Sequence, residues 1–241
     1  MADPHGTLLA IVPALNEEAT VGDVVKAIIG DLEADVLVID DGSSDRTALL
    51  ARDAGAVVVR HPFNLGVGAA LRTGFKYARR TGYPVVIQVD ADGQHDTAGA
   101  HALVAAVVDG GVDLVVGSRF AEGYQVSGLR RLSMRALSRT VSRRLGVEIT
   151  DTTSGFRAFS ARAVDRFAAS YPSQYLSDTV EALLLAHDDG LRIAEVPVRM
   201  RERMGGRASA GRIKSVFHLV RLMLVVSIHR FRRPALVGGG S

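Results

Sequence analysis

Apolar residues follow two alternating rhythms along the chain. Short, nearly continuous runs at 8–13 (LLAIVP), 35–39 (DVLVI), 56–59 (AVVV), 84–89 (PVVIQV) and 114–117 (LVVG) predict strands. Between them, residues 21–29, 46–54, 68–80 and 98–108 carry apolar side chains at helical spacing. Strands without alternating polar positions are buried on both faces, so the pattern predicts a parallel sheet covered by helices on each side. The second half is less regular: a helix at 128–145, a strand near 156–160, helices near 161–169 and 177–188, and a strand at 192–198. A Gly-rich loop follows, and then a last helix at 212–231. No linker divides the chain and no repeat appears. The expected organisation is one α/β domain over 1–211 and a basic amphipathic helix over 212–233.

Composition narrows the functional classes. The chain has 241 residues, 47% of them apolar, and no Cys. Disorder is excluded by the apolar fraction, and thiol catalysis, disulfide frameworks and Cys-based zinc sites by the absence of Cys. No run approaches the ~18 uninterrupted apolar residues of a bilayer span, and no signal-peptide pattern precedes the first strand. A cytoplasmic protein is expected. Charge is unevenly spread. Residues 1–126 hold 9 Lys and Arg against 17 Asp and Glu, and residues 127–241 hold 20 against 9. An acidic half suits a metal; a basic half suits phosphates or an anionic surface.

In an open α/β sheet, ligands collect at the carboxyl ends of the strands. Here each predicted strand ends in polar or site-forming residues: Pro13-Ala14-Leu15-Asn16-Glu17, Asp40-Asp41-Gly-Ser-Ser-Asp45, Asn64-Leu-Gly66-Val-Gly68, Asp90-Ala91-Asp92-Gly-Gln94 and Ser118-Arg119. Asp90 and Asp92 leave a buried strand two residues apart and can face one hard cation, with Gln94 as a neutral oxygen. Mg²⁺ or Mn²⁺ takes one or two carboxylates and completes its shell with phosphate and water. A calcium loop fails, since His95 stands at its sixth position and Leu103 at its twelfth. One Asp of the 40–41 pair can accept from a base or ribose, while Asp45 caps the next helix. The 64–68 glycines lack the third Gly and the placement of a dinucleotide fingerprint.

The basic half supplies Asp151-Thr-Thr-Ser154-Gly155-Phe156-Arg157, where Arg157 can bridge phosphate oxygens and Ser154 can donate a hydroxyl. Arg199, Arg201, Arg203, Arg207 and Arg212, interleaved with Gly205, Gly206 and Gly211, suit a lid over anionic groups. Arg131, Arg135, Arg139 and Arg143 form a ladder on a helix without acidic residues. With Leu129, Leu132, Ala136, Leu137, Val141 and Leu145 as its apolar side, that helix suits anionic lipid headgroups. Nucleic acid fits less well, because aromatic residues make up only 5% and do not interleave with the arginines. The stripe Phe217, Val220, Leu224, Ile228 and Phe231 of the last helix lies on a membrane, packs on the domain, or pairs two copies as a homodimer.

Taken in order, these motifs, with Glu195-Val-Pro197 and the Gly-Gly loop, resemble those of family-2 glycosyltransferases. Within that family they are most similar to the dolichyl- or polyprenyl-phosphate mannosyl- and glucosyltransferases. The resemblance spans about residues 8–212. It implies an A-type glycosyltransferase fold, Rossmann-like and mostly parallel, with a nucleotide-sugar donor (UDP- or GDP-) and Mg²⁺ or Mn²⁺. At the matching positions it implies that Pro13, Ala14, Leu15, Glu17, Asp40, Asp41, Gly66, Gly68, Asp90 and Ala91 line the nucleotide-sugar site. Asp90, Asp92 and Gln94 hold the metal and diphosphate. Arg119, Ser154, Arg157 and Arg203 join Asp92 around the leaving group and the acceptor phosphate. Where relatives read Gly-x-Ser, this chain has Gly206-Arg207-Ala208 with Ser209 one place late.

A lipid phosphate is already an anionic nucleophile and needs no strong base, so one displacement would invert the anomeric centre. That acceptor puts the protein at the inner face of the plasma membrane, held peripherally. A hydroxyl acceptor on a soluble glycan or metabolite would need a carboxylate base, for which Asp178 and Glu181 are candidates. A non-catalytic nucleotide-binding protein is the third alternative, disfavoured by the intact Asp90, Asp92 and Gln94.

Overall fold

The computed structural model describes residues 6–94, 96–119, 128–172 and 178–199. Its elements run β1 (Leu8–Ala14), α1 (Val21–Leu32), β2 (Asp35–Asp40), α2 (Thr47–Asp53), β3 (Val57–Arg60), α3 (Val67–Thr81), β4 (Val85–Gln88) and α4 (Thr97–Val108). They continue as β5 (Leu114–Ser118), α5 (Gly128–Leu145), β6 (Arg157–Ser160), α6 (Ala161–Ala169), α7 (Asp178–Asp188) and β7 (Ile193–Pro197). The strands form one seven-stranded sheet in the order β3-β2-β1-β4-β6-β5-β7. All pairings are parallel except those of β6, which lies antiparallel between β4 and β5.

Both sheet faces are buried, as the unbroken apolar runs require. Leu9, Ile11, Leu37 and Ile39 point to one side and pack with Phe75 of α3, Val141 of α5, Phe167 of α6 and Leu183 of α7. Ala10, Val12, Val36 and Val38 point to the other and meet Val25 of α1, Ala51 of α2 and Leu103 of α4. Aromatic rings concentrate on the first side. Phe75 meets Phe159 edge-on at 4.9 Å, and Phe159 meets Phe167 edge-on at 5.8 Å. Each such pair adds about 0.5–1.5 kcal/mol beyond the area it buries.

Helix ends follow local chemistry. Gly66 (φ +92°) precedes α3 and Gly82 (φ +83°) ends it in the left-handed region. The Ser160 hydroxyl accepts from the Ala163 N–H and caps α6.

The helix α5 departs from its expected amphipathic pattern. Leu137, Val141 and Leu145 are buried, but Leu132 is 63% exposed and Ala136 is also exposed. The seam is therefore a narrow i, i+4 stripe, and Leu132 stands outside it. The loop carrying Arg201, Arg203 and Arg207, and the helix expected at 212–233, lie outside the described residues.

Candidate active site

The carboxyl ends of β1, β2, β4 and β5 share one sheet edge. Because β6 runs the other way, its first residue, Arg157, arrives at that edge opposite Gln88 and Val116. The loop leading into it, 149–156, is thereby brought beside the loop that leaves β4.

At the β1–β2 side, two loops are stitched together. The Asn16 N–H donates to Ser43 Oγ (2.9 Å), the Ser44 N–H to Asn16 Oδ1 (2.9 Å) and the Glu17 N–H to Thr47 Oγ1 (2.8 Å). Leu15 is left 37% exposed at the rim, and Pro13 is half-buried above the buried Ala14.

Asp40 and Asp41, expected at the nucleotide-sugar site, are 0% and 4% exposed and bond within the protein's own frame. Asp40 accepts the Ser43 N–H, and Arg60 Nε lies 3.1 Å from its other oxygen. Asp41 accepts the backbone N–H groups of Leu65 (3.0 Å) and Gly66 (2.7 Å) and a bond from His61 Nδ1 (2.7 Å). His61 in turn meets Thr73 Oγ1 on α3 at 3.0 Å. Asp41 thus fixes the Asn64–Gly66 turn at the mouth of the site, and Gly68 lies buried in the first turn of α3. Nothing in the sequence singled out His61, because its two partners come from separate elements.

Asp90 and Asp92 stand half-buried after β4, with Ala91 buried between them. The Gln94 N–H donates to Asp92 Oδ1 (3.1 Å), and Gly93 takes φ +74° to make that turn. Gly155 backs Asp90: a Cβ there would come within 3.0 Å of Asp90 Oδ1 and 3.1 Å of Gln88 Nε2. The glycine lets the 149–156 loop close on the carboxylate. Among the described residues no group of three His, Asp or Glu could hold a metal by itself. Two hard carboxylates cradled this way fit a divalent ion that takes its other oxygens from a diphosphate and water.

Arg157, expected beside the acceptor phosphate, is part of the same internal frame. It is fully buried and donates to the carbonyls of Ser154 (2.8 Å), Thr179 (2.9 Å) and Thr152 (3.2 Å). It braces the 152–154 loop against α7. Ser154, 2% exposed, accepts the Phe156 N–H on its hydroxyl and belongs to the same frame.

Buried charge gathers around Arg157. Burial lowers the guanidinium from its ordinary value, against the pull of Asp178, Asp151 and Asp90. Burial, reinforced by Asp178, pushes the Tyr171 phenol up and keeps it neutral. Burial also raises the Asp178 carboxyl, with Arg157 opposing. Asp178 is 5% exposed, whereas Glu181, one turn along α7, is half-buried.

Arg119, at the end of β5, is 25% exposed in its side chain and donates to both oxygens of the buried Asp151 (2.7 and 3.2 Å). Asp151 and Thr150 are held by Glu195 of β7. The arrangement offers an anionic pair fit for a cation beside a braced basic wall.

The family model for glycosyl transferase family 2 matches residues 9–168. Polyprenol monophosphomannose synthase of Mycolicibacterium smegmatis is 34% identical over 211 residues, covering 83% of this chain and 79% of that protein. Undecaprenyl-phosphate mannosyltransferase of Micrococcus luteus is 33% identical over 216 residues, covering 83% and 86%. Among solved structures, glucosyl-3-phosphoglycerate synthase from Mycobacterium tuberculosis, in complex with Mn²⁺, uridine diphosphate and phosphoglyceric acid, matches with a TM-score of 0.71. The identity there is 22%, over 95% of this chain and 80% of that one.

Proposed function

The chain belongs to glycosyl transferase family 2, and on that premise we propose that it moves a hexose from a nucleotide sugar to a polyprenyl phosphate at a membrane surface. The observation that carries the reading is the Asp90–Asp92 pair on the central strand end, closed from the acceptor side by Gly155. The names of the relatives support the lipid acceptor, and the Mn²⁺ and uridine diphosphate in the structural neighbour support the donor chemistry.

In this reading Asp90, Asp92 and Gln94 hold a divalent cation against the donor diphosphate. When bound, that ion supplies Lewis-acid stabilisation of the leaving nucleoside diphosphate. Pro13, Ala14, Leu15 and Glu17 line the nucleoside side, while Asp41 fixes the turn that carries Gly66 and Asp40 holds the neighbouring Ser43 turn. Arg119 sits at the rim as a counter-charge for the acceptor phosphate, with Arg203 assigned there from its motif. A phosphate oxygen attacks the anomeric carbon as the bond from that carbon to the diphosphate oxygen breaks, inverting the centre. Ser154 and Arg157 keep the acceptor loop in register.

The membrane side is supported by α5, where Arg135, Arg139 and Arg143 are exposed beside the exposed Leu132. Basic charge with a protruding apolar side chain suits a headgroup layer. No helix among the described residues is long and apolar enough to cross a membrane.

A second reading is favoured by the structural neighbour, whose complex holds a soluble acid. For a hydroxyl acceptor, half-buried Glu181 is better placed as a base than buried Asp178. UDP- and GDP-sugars, assayed with Mn²⁺ or Mg²⁺ and with or without polyprenyl phosphate, test the proposal through nucleoside diphosphate release. Release that depends on the lipid phosphate is expected. In that case Glu181→Gln stays within about tenfold of wild type, whereas loss of a true base costs about 10²–10⁴.

A further inference from the structure

Glu195 lies on β7, at the far edge of the sheet, opposite Val116 in register. Its carboxylate is nonetheless engaged with the loop that follows α5. Oε2 accepts the N–H groups of Thr150 (2.6 Å) and Asp151 (3.0 Å), and Oε1 accepts the Thr150 hydroxyl (2.6 Å). The Thr150 hydroxyl also meets Ser118 Oγ at 2.7 Å. Asp151, fully buried, grips Arg119 at Nε and a terminal nitrogen.

One carboxylate therefore orders two consecutive backbone amides, and the second of those residues orients the arginine. A buried Asp facing an arginine is held in place only if its own backbone cannot slide, and the three hydrogen bonds that Glu195 accepts, one from the Asp151 N–H and two from Thr150, prevent that sliding. Arg119 and Asp151 lie 32 residues apart in sequence, so the pair also ties together the two ends of the segment containing α5.

We propose that Glu195 is a positioning residue for glycosyl transfer: it sets the orientation of Arg119 through Thr150 and Asp151. The assignment rests on the placement of Arg119 at the acceptor phosphate, and the variants separate the two ideas. Glu195→Gln keeps size and polarity but loses the charge that holds two amides. Its expected effect is a fall of about 10- to 100-fold in kcat/KM for the acceptor, the size of a lost hydrogen bond to a charged group. Binding of uridine diphosphate with Mn²⁺ and the melting temperature stay near wild type. Arg119→Lys lowers the same constant, because an ammonium cannot reproduce the two-nitrogen grip. The double variant is no worse than the weaker single within about twofold, since both changes remove one arrangement.

Multiplying effects in the double variant would overturn the proposal, as would wild-type acceptor kinetics in Glu195→Gln. Wild-type kinetics in Arg119→Lys would instead overturn the placement of Arg119, and the proposal with it. If Glu195→Gln fails to fold, Thr150→Val removes the hydroxyl's bonds to Glu195 and Ser118 but leaves both amide bonds, and must show a smaller loss, again absorbed in the Arg119→Lys background. A direct readout is independent of the acceptor. The Arg119 Nε–H proton, bonded to Asp151 at 2.7 Å, is expected to exchange faster in Thr150→Val and Glu195→Gln than in the wild type; unchanged exchange in both variants refutes the link.

Discussion

Replacing Asp92 by alanine is expected to abolish transfer and Mn²⁺-dependent nucleotide binding while the protein still folds, because the side chain stands half-buried on a strand-end turn. Activity assays in the presence of chelator, beside a thermal melt, check both halves of that statement. Gly155→Ala tests the same centre from behind. Its methyl group would press on Asp90 at 3.0 Å, and a displaced ligand typically costs about 10- to 100-fold in metal affinity. Asp178 gives a pH prediction. Its carboxyl is raised above 3.8 by burial, so its stabilising contribution is full below that pH and is lost as pH rises through the folded value. The melting temperature of Asp178→Asn should match wild type near pH 3.5 and exceed it at neutral pH. The Asp90–Asp92 pair was plain in the sequence. The inward turn of Arg157 was not, because a Ser-Gly-Phe-Arg motif reads the same whether its guanidinium meets a phosphate or three carbonyls.

Helix α3 packs on β1 at one tight point. A Cβ on Gly74 would meet Ile11 Cγ2 at 2.6 Å and Cδ1 at 2.8 Å. Gly74→Ala should therefore destabilise the protein by about 1–3 kcal/mol, the range for overpacking a filled core, measurable by denaturant unfolding. Element boundaries were largely legible from periodicity: the reading of 8–13 as a strand corresponds to Leu8–Ala14, and Gly128–Leu145 matches throughout. The direction of β6 was not legible. A four-residue strand carries no mark of its orientation, which is set by partners far away in sequence. For the same reason, Glu195 read as part of a strand motif and not as the anchor of a loop 45 residues earlier.

At the scale of the whole molecule, an acidic first half and a basic second half both contribute strands to one sheet. Changing Arg135, Arg139 and Arg143 together to Gln should weaken binding to anionic vesicles by about 3 kcal/mol, at roughly 1 kcal/mol per basic residue. Arg144 supplies the control, since it already pairs with Asp188 at 3.2 Å, and its Gln variant should pellet like wild type. Salt should weaken the wild-type interaction as the screening length falls to about 8 Å at 0.15 M. Co-sedimentation beside a melt separates lost lipid binding from lost stability. The charge asymmetry was visible in the sequence, but which arginines face solvent depended on the narrow seam of α5.

The reversed strand β6 also bears on how the chain assembles. Strands β1 to β4 pair among themselves and are joined by short crossovers, so they can form a sheet soon after synthesis. The open side of β4 then waits for residues 157–160, and β5 pairs only with strands that follow it in the chain. For that interval a nascent chain carries a bare row of amides and carbonyls, the kind of edge that recruits other chains. Pulse-labelled hydrogen exchange during refolding should find the amides of β1 and β2 protected before those of β5 and β7, with β6 as the late strand that joins the two.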